Sequence, residues 1–369
     1  MAFTAGLTGA LAGCGATGGT GAGPVKSPRL VNDPGWSRWV AGFRDRALPR
    51  GISPQVFDSA FSSAGFAPDA VRRDRAQAEF RRSFEDYLAL VADDGRIASG
   101  RAALARHGQS LSRIESRWGV PAPIVAAIWG IESRYGARRG AFPVIAATST
   151  LAYDGRRGAF FEAQTLAALR ILQRGEVSVV RFVGSWAGAM GHTQFIPTSY
   201  LANAVDVTGD GRADVWGEDP SDALASTANY LARAGWRRGA AWGGEIGTPA
   251  AGPRRLRPDP NGPVFGVGRN FDVIKRYNNS DLYALAVGYL ADRIAGGGPL
   301  RAGFGPDRFG LTAEDRRAIQ RGLRRRGFEV GEPDGVFGPR TTAAVRDFQR
   351  RAGLEPTGSP SRALLAALR

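Results

Sequence analysis

Residues 121–136, PAPIVAAIWGIESRYG, constrain this chain more than any other stretch. Pro121 and Pro123 suit the first turn of a helix, where a missing N–H removes no hydrogen bond. Ile124, Val125, Ala126, Ala127, Ile128, Trp129 and Ile131 follow with hardly a polar interruption. A helix that is apolar all round lies inside a core, so other segments must supply the helices that enclose it. One carboxylate, Glu132, leaves this helix where Gly130 and Gly136 loosen the run. Desolvation and the negative end of the helix dipole both raise the pKa of a carboxyl placed there. A general acid working near neutral pH needs that shift. The competing reading makes Glu132 an ordinary carboxylate past the last buried turn, paired with Arg134, Arg138 or Arg139. This stretch alone leaves both open.

The surrounding pattern is mainly α. Trp36, Trp39, Val40 and Phe43 recur at helical spacing, and Ser53-Pro54 opens a second helix. Phe80, Phe84, Tyr87, Leu88 and Val91 make another apolar stripe, and Leu104, Leu111, Ile114 and Trp118 lead into the central helix. Later helices are expected over 160–173, 223–234 and 282–294. The loop-rich stretch 243–269 has room for a short hairpin. At 369 residues the chain exceeds one ordinary domain. A large helical domain is expected over 31–295, a linker over 296–310 and a compact three-helix domain over 311–369. In the last, Thr312 with Asp315 resembles a capping box, and Ser359-Pro360 opens the final helix.

The net charge of +15 suits anionic surroundings such as a cell envelope, a membrane surface or nucleic acid. The arginines are scattered, with no helix gathering them beside base-reading residues, so nucleic acid is not an expected partner. A single cysteine, Cys14, rules out an intramolecular disulfide and a cysteine-built zinc site. Two histidines, His107 and His192, leave little for a histidine metal centre. Any chemistry therefore runs on carboxylates, hydroxyls and amides.

Residues 1–14 are short and apolar and end Leu11-Ala12-Gly13-Cys14. They resemble a bacterial lipoprotein signal with Cys14 as the lipidated residue, although no Lys or Arg precedes the apolar core. A Gly/Ala-rich terminus without that role is the alternative. Residues 15–28 read as a flexible tether in either case, so 1–30 stand apart from the folded body.

Five further motifs accompany Glu132 in order: LAYD followed by Arg156-Arg157, SWAGAMG from Ser185, QFIPTSY from Gln194, the segment 225–230, and RYNNSDLY from Arg276. With IWGIESRYG they resemble the membrane-bound lytic murein transglycosylase B family, over about 36–294. Residues 311–369 resemble the small peptidoglycan-binding domain often fused to such enzymes, through Gln320, Leu323, Asp334-Gly335, Phe337-Gly338, Thr341-Thr342, Val345, Phe348-Gln349 and Gly358.

The resemblance implies a mainly α body of the α+β lysozyme-like superfamily that cleaves peptidoglycan glycan strands. It makes Glu132 the single catalytic acid/base. Glu132 would protonate the oxygen between N-acetylmuramic acid and N-acetylglucosamine, then take the proton of the muramic acid C6 hydroxyl as a 1,6-anhydro ring closes. No second carboxylate is then needed, unlike the two-carboxylate glycosidase arrangement. Ser185 and Gln194 match positions that line the cleft, Asn278 and Tyr283 polar groups near the carboxyl, and Tyr277 a cleft aromatic. Tyr87 matches a tyrosine beside the carboxyl, and Arg156 and Arg157 a basic pair that would meet the peptide stem.

No cofactor is implied as a requirement. The loop Asp206, Thr208, Asp210, Arg212 and Asp214 resembles an EF-hand, which some family members carry, and would hold calcium. Its twelfth position is Gly217, so the usual bidentate carboxylate is missing, although Glu218 follows; plain Asp-Gly turns are the alternative. Expected partners are glycan strands and, through the lipid, an envelope membrane, with the protein periplasmic and monomeric. A hydrolytic muramidase and a non-catalytic wall-binding protein are the rival readings. His192 is expected at the cleft side or surface and not as a base; Tyr200, Tyr230 and Trp118, Trp129, Trp186 and Trp216 are expected as core aromatics.

Overall fold

The structure is a computed structural model and describes residues 28–76 and 83–369. Cys14, the tether up to residue 27 and Phe80 lie outside the described residues. The chain builds α1 (Pro34–Ala47), α2 (Pro54–Ser62), α3 (Pro68–Ala76), α4 (Phe84–Val91), α5 (Asp94–Arg106), α6 (Gly108–Trp118) and α7 (Ala122–Ser133). A short antiparallel pair, β1 (Phe142–Pro143) with β2 (Val183–Gly184), brackets the hairpin of α8 (Val144–Asp154) and α9 (Gly158–Gln173). After α10 (Pro197–Asn203) and α11 (Ser221–Arg233) come three strands, β3 (Gly243–Glu245), β4 (Arg254–Leu256) and β5 (Phe265–Val267). They form an antiparallel sheet in the order β3-β5-β4, where a single hairpin was expected. Two helices, α12 (Arg269–Tyr277) and α13 (Asp281–Ile294), complete the large body.

Local chemistry sets the helix starts. Asp33, Ser53, Ser83, Asp93 and Ser280 each accept a backbone N–H two or three residues inside α1, α2, α4, α5 and α13. The apolar α7 is enclosed as its sequence demands, by α13, α5, α11 and α6. Around it lies one core; α1, α2, α8, α9 and α10 form a second around Phe43, Leu169 and Tyr200. Tyr230 and Tyr277 pack against both cores, so the seam between them runs past the end of α7.

The C-terminal module has its own core of Leu311, Ile319, Leu323, Val345, Leu364 and Leu368, built by α14 (Ala313–Arg325), α15 (Pro339–Arg351) and α16 (Arg362–Ala367). The predicted capping box is present at Thr312 and Asp315. The last helix starts two residues later than expected, capped by Ser361.

The stretch 296–310, read as a linker, is bound along its length to the large body. Glu245 accepts the N–H groups of Arg301 and Ala302 at 2.7 and 2.6 Å. Gly305 donates to the Asn261 carbonyl at 2.9 Å, and the Phe304 ring approaches Phe84 at 6.2 Å. Backbone donors satisfied by a neighbouring domain make this segment a docked strap.

Candidate active site

Glu132 lies in the last turn of α7 and is 7% exposed. Burial pushes its carboxyl up from its ordinary 4.5 to about 8. The opposing influence is one hydrogen bond: Tyr283 Oη donates to Glu132 Oε1 at 2.7 Å. Among the described residues no Lys or Arg pairs with it; Arg139 instead meets Glu218 and donates to the Trp216 and Gly217 carbonyls. No second carboxylate contributes to the shift. At neutral pH Glu132 is therefore a protonated acid with one phenol ready to receive its charge.

Packing of α7 on α13 delivers that pair, because Tyr283 stands in the first turn of α13 behind the Ser280 cap. Burial raises the Tyr283 phenol well above its usual range, which keeps it a neutral donor. Tyr87, buried on α4, is close enough to act on the same phenol. Asn278, between α12 and α13, is 6% exposed, and its buried Oδ1 has no partner among the described residues. Tyr277 donates to the Thr193 carbonyl at 2.6 Å and packs against Tyr230 and Phe195 at centroid distances of 5.1 and 5.8 Å. Tyr283 thus bonds Glu132, Tyr277 lies close enough to feel its charge, and Tyr87 stands by Tyr283.

The chain leaves α7 through two consecutive left-handed residues, Arg134 (φ 53°) and Tyr135 (φ 55°). The turn folds the Tyr135 ring back over the helix, and its hydroxyl donates to the Arg96 carbonyl at 3.1 Å. A Cβ at Gly130 would lie 2.5 Å from that ring. Gly130 is therefore a close-approach position, not the loosening of the helix that the sequence suggests. Arg96 is buried and donates to the Gly130 carbonyl at 2.8 Å. Neither Tyr135 nor Arg96 was singled out in the sequence; the glycine was the available signal.

The Ser185–Gly191 loop runs into His192, whose carbonyl accepts from Ser133 at the end of α7. Ser185 Oγ accepts the N–H groups of Ala187 and Ala189, so it holds the turn while keeping its own proton to donate. Gln194 adopts φ 56° and spends its amide nitrogen on the Gly191 and Arg139 carbonyls at 2.8 and 3.1 Å. Gly191 has φ 70°, and a Cβ there would lie 2.2 Å from the Val215 carbonyl oxygen.

His192 corrects the surface reading. It is buried and not exposed. The Trp129 indole donates to its Nδ1 at 3.1 Å, which leaves Nε2 as the protonated nitrogen facing the Gly217 carbonyl at 2.8 Å. Burial lowers its pKa. Ser133 donates to the His192 carbonyl at 2.5 Å, so this histidine ties the loop to the residue beside Glu132. Its contacts hold structure.

Arg156 and Arg157 do not stand free. Both ion-pair with the buried Asp74 of α3, Arg156 at 2.8 Å, and the Arg157 guanidinium lies over Phe161. With 44% of its side chain exposed, Arg156 keeps a solvent-facing edge. The structure brings neither into the Glu132 hydrogen-bond network.

The acidic loop also differs in detail. Asp206, Asp210 and Asp222 bring carboxylate oxygens within 4.8 Å of one another. Asp214 turns away to the N–H groups of Trp216 and Gly217 and to Arg181, and Glu218 pairs with Arg139. Thr208 donates to Asp206, and Arg212 offers its N–H to Asp210. The third carboxylate of this group is Asp222, in the first turn of α11, which also accepts the N–H groups of Val207, Thr208 and Asp214.

The family model described as the transglycosylase SLT domain matches residues 35–260 and 254–292, and that of the putative peptidoglycan binding domain matches 312–368. The chain is similar to membrane-bound lytic murein transglycosylase B of Escherichia coli (strain K12), with 32% identity over 232 residues, 54% of this chain and 64% of the relative's length. The structure of SltB3 from Pseudomonas aeruginosa in complex with NAG-anhNAM-pentapeptide aligns with TM-score 0.71 and 42% identity, covering 91% of this chain and 100% of that one. Escherichia coli lytic transglycosylase Slt35 in complex with calcium aligns with TM-score 0.59 and 25% identity over 73% of this chain and 95% of its own. The chain belongs to the transglycosylase SLT domain family and carries a peptidoglycan binding domain at its C-terminal end.

Proposed function

We propose that this protein is a lytic transglycosylase that cleaves the N-acetylmuramic acid–N-acetylglucosamine bond of peptidoglycan and leaves a 1,6-anhydro end. The observation that carries this reading is the isolated Glu132 carboxyl, raised to about 8 and hydrogen-bonded by Tyr283 with no second carboxylate acting on it. Protonated Glu132 donates to the glycosidic oxygen as the C1–O bond breaks. The C6 hydroxyl of the same muramic acid attacks C1, and the Glu132 carboxylate takes its proton, restoring the acid. Between these events the charge rests on an oxygen that already accepts the Tyr283 hydroxyl. A two-carboxylate enzyme would place its partner about 5–9.5 Å away, and nothing of that kind acts on Glu132. The unpartnered Asn278 Oδ1 offers an acceptor to a sugar hydroxyl or N–H in the seam. The relative solved with NAG-anhNAM-pentapeptide supports the anhydro product.

The assignment is tested with purified sacculi: Glu132→Gln should stay folded and release no anhydro-muropeptides. Release at the wild-type rate would make the assignment wrong.

Two finer readings accompany it. Calcium would be held by Asp206, Asp210 and Asp222, whose oxygen donors suit a hard cation. Burial and the neighbouring Asp206 both push the Asp222 carboxyl up, a repulsion that a cation relieves. Its contribution would be to fix the loop between α10 and α11. Placement in the envelope through lipidated Cys14 rests on the lipoprotein-like 1–14 and the basic charge. Radiolabelled palmitate that enters the wild-type chain but not Cys14→Ala checks it.

A further inference from the structure

Arg316, on α14 of the C-terminal module, is 6% exposed. Its guanidinium is spent almost entirely on partners beyond α14. Nη2 meets Glu85 Oε2 at 2.6 Å and Asp86 Oδ1 at 3.0 Å, both from α4 of the large body. Nη1 meets Asp307 of the strap at 2.9 Å, and Nε donates to the Gly335 carbonyl at 2.8 Å.

The residues it grips form the first turn of α4, and the next residue in the chain is Tyr87. That helix is only eight residues long. Asp259 holds its start by accepting the N–H groups of Phe84 and Glu85, and Arg96 holds its end through the Leu90 carbonyl. It packs on α13, the helix of Tyr283. Burial raises the Asp86 carboxyl and Glu85 raises it further, while Arg316 opposes both. Removing the guanidinium leaves Asp307 and two adjacent carboxylates of α4, the half-buried Asp86 among them, without the cation that joins them. Such a pair regains water most easily by moving the short helix that carries it.

We propose that Arg316 is a positioning residue for the active site: the docked C-terminal module holds α4, and through it Tyr87, against the Tyr283–Glu132 pair. The inference rests on Glu132 being the catalytic acid. It gives the module a second task besides wall affinity, because a module acting only as a tether would leave turnover of a short soluble substrate untouched.

The test uses the full chain and a soluble GlcNAc-MurNAc tetrasaccharide bearing stem peptides, with sacculus retention measured in parallel. Arg316→Gln should lower kcat about tenfold with KM changed by less than about twofold, since small displacements at a reacting centre have large effects on rate. Arg316→Lys, which keeps the charge without the fork, should lose about threefold. Adding Glu85→Gln and Asp86→Asn to Arg316→Gln removes the stranded charges of α4 itself and should recover most of the rate. Wild-type kcat in folded Arg316→Gln, or a triple variant no better than the single one, overturns the proposal. If Arg316→Gln does not fold, wild-type kcat in Arg316→Lys overturns it equally. A wild-type protein that makes no anhydro product strikes the functional reading instead, so the two failures are distinguishable.

Discussion

Two acidic regions of this molecule use the same functional group in opposite ways. At the end of α7 a single carboxyl, Glu132, is buried and receives one donor, and its pKa rises to about 8. In the loop before α11, Asp206 is exposed and accepts the N–H groups of Gly209 and Gly211 and the Thr208 hydroxyl, and its pKa falls. The first setting makes a proton donor and the second an anion. Solvation and donor count decide which, not residue type. The comparison also shows why Glu132 needs Tyr283: without that donor the carboxylate formed midway through the reaction would stand in a dry site with no support.

The largest effect expected at the first region is on rate. Glu132→Gln should lower release of anhydro products by about 10³-fold, the scale of a lost general acid, read by chromatography of sacculus digests. Next comes Tyr283→Phe, which should cost about tenfold or more in kcat. Because the lost hydrogen bond lowers the Glu132 pKa, its removal should also shift the alkaline limb of the pH–rate profile above its wild-type position near 8. An unchanged limb would break the link between donor count and pKa.

Stability should move the opposite way. The folded Glu132 carboxyl titrates near 8 and the unfolded one near 4.5, so the unfolded chain binds fewer protons between those values. Stability contributed by this group is whole below 4.5 and is lost as pH rises toward 8. At pH 7 the deficit is about 3 kcal/mol, which neutral Gln escapes. Glu132→Gln should therefore raise the melting temperature by roughly 5–10 °C at pH 7 and by almost nothing at pH 4, measured by calorimetry. The smallest effect belongs to the second region. Calcium should raise the wild-type melting temperature by about 2–5 °C and leave Asp222→Asn unmoved. Equal stabilisation of both would place any bound calcium elsewhere.

Much of the first region was legible in the sequence. An apolar run with a terminal carboxylate dictates a buried helix and leaves a perturbed acid as one of two readings, and the family resemblance of the ordered motifs draws Tyr283, Asn278 and Tyr277 to the site. Contacts that depend on tertiary approach were not legible. Gly130 looks like a weak point in a helix until the Tyr135 ring is seen against it. His192 reads as a cleft-side or surface residue because one histidine in a glycine-rich loop shows no period, whereas it is buried with both ring nitrogens hydrogen-bonded. Arg156 and Arg157 look like a free basic pair because Asp74, their partner, lies on a separate helix. The strap reads as a linker because its anchors are backbone N–H groups, which leave no trace in composition.

The most direct test of the single-carboxyl mechanism is digestion of sacculi by the wild-type protein in H₂¹⁸O, followed by mass spectrometry of the muropeptides. Glu132 acting alone on the muramic acid's own C6 hydroxyl predicts products that end in 1,6-anhydro rings and carry no ¹⁸O. Reducing-end products heavier by one water and labelled with ¹⁸O would contradict it.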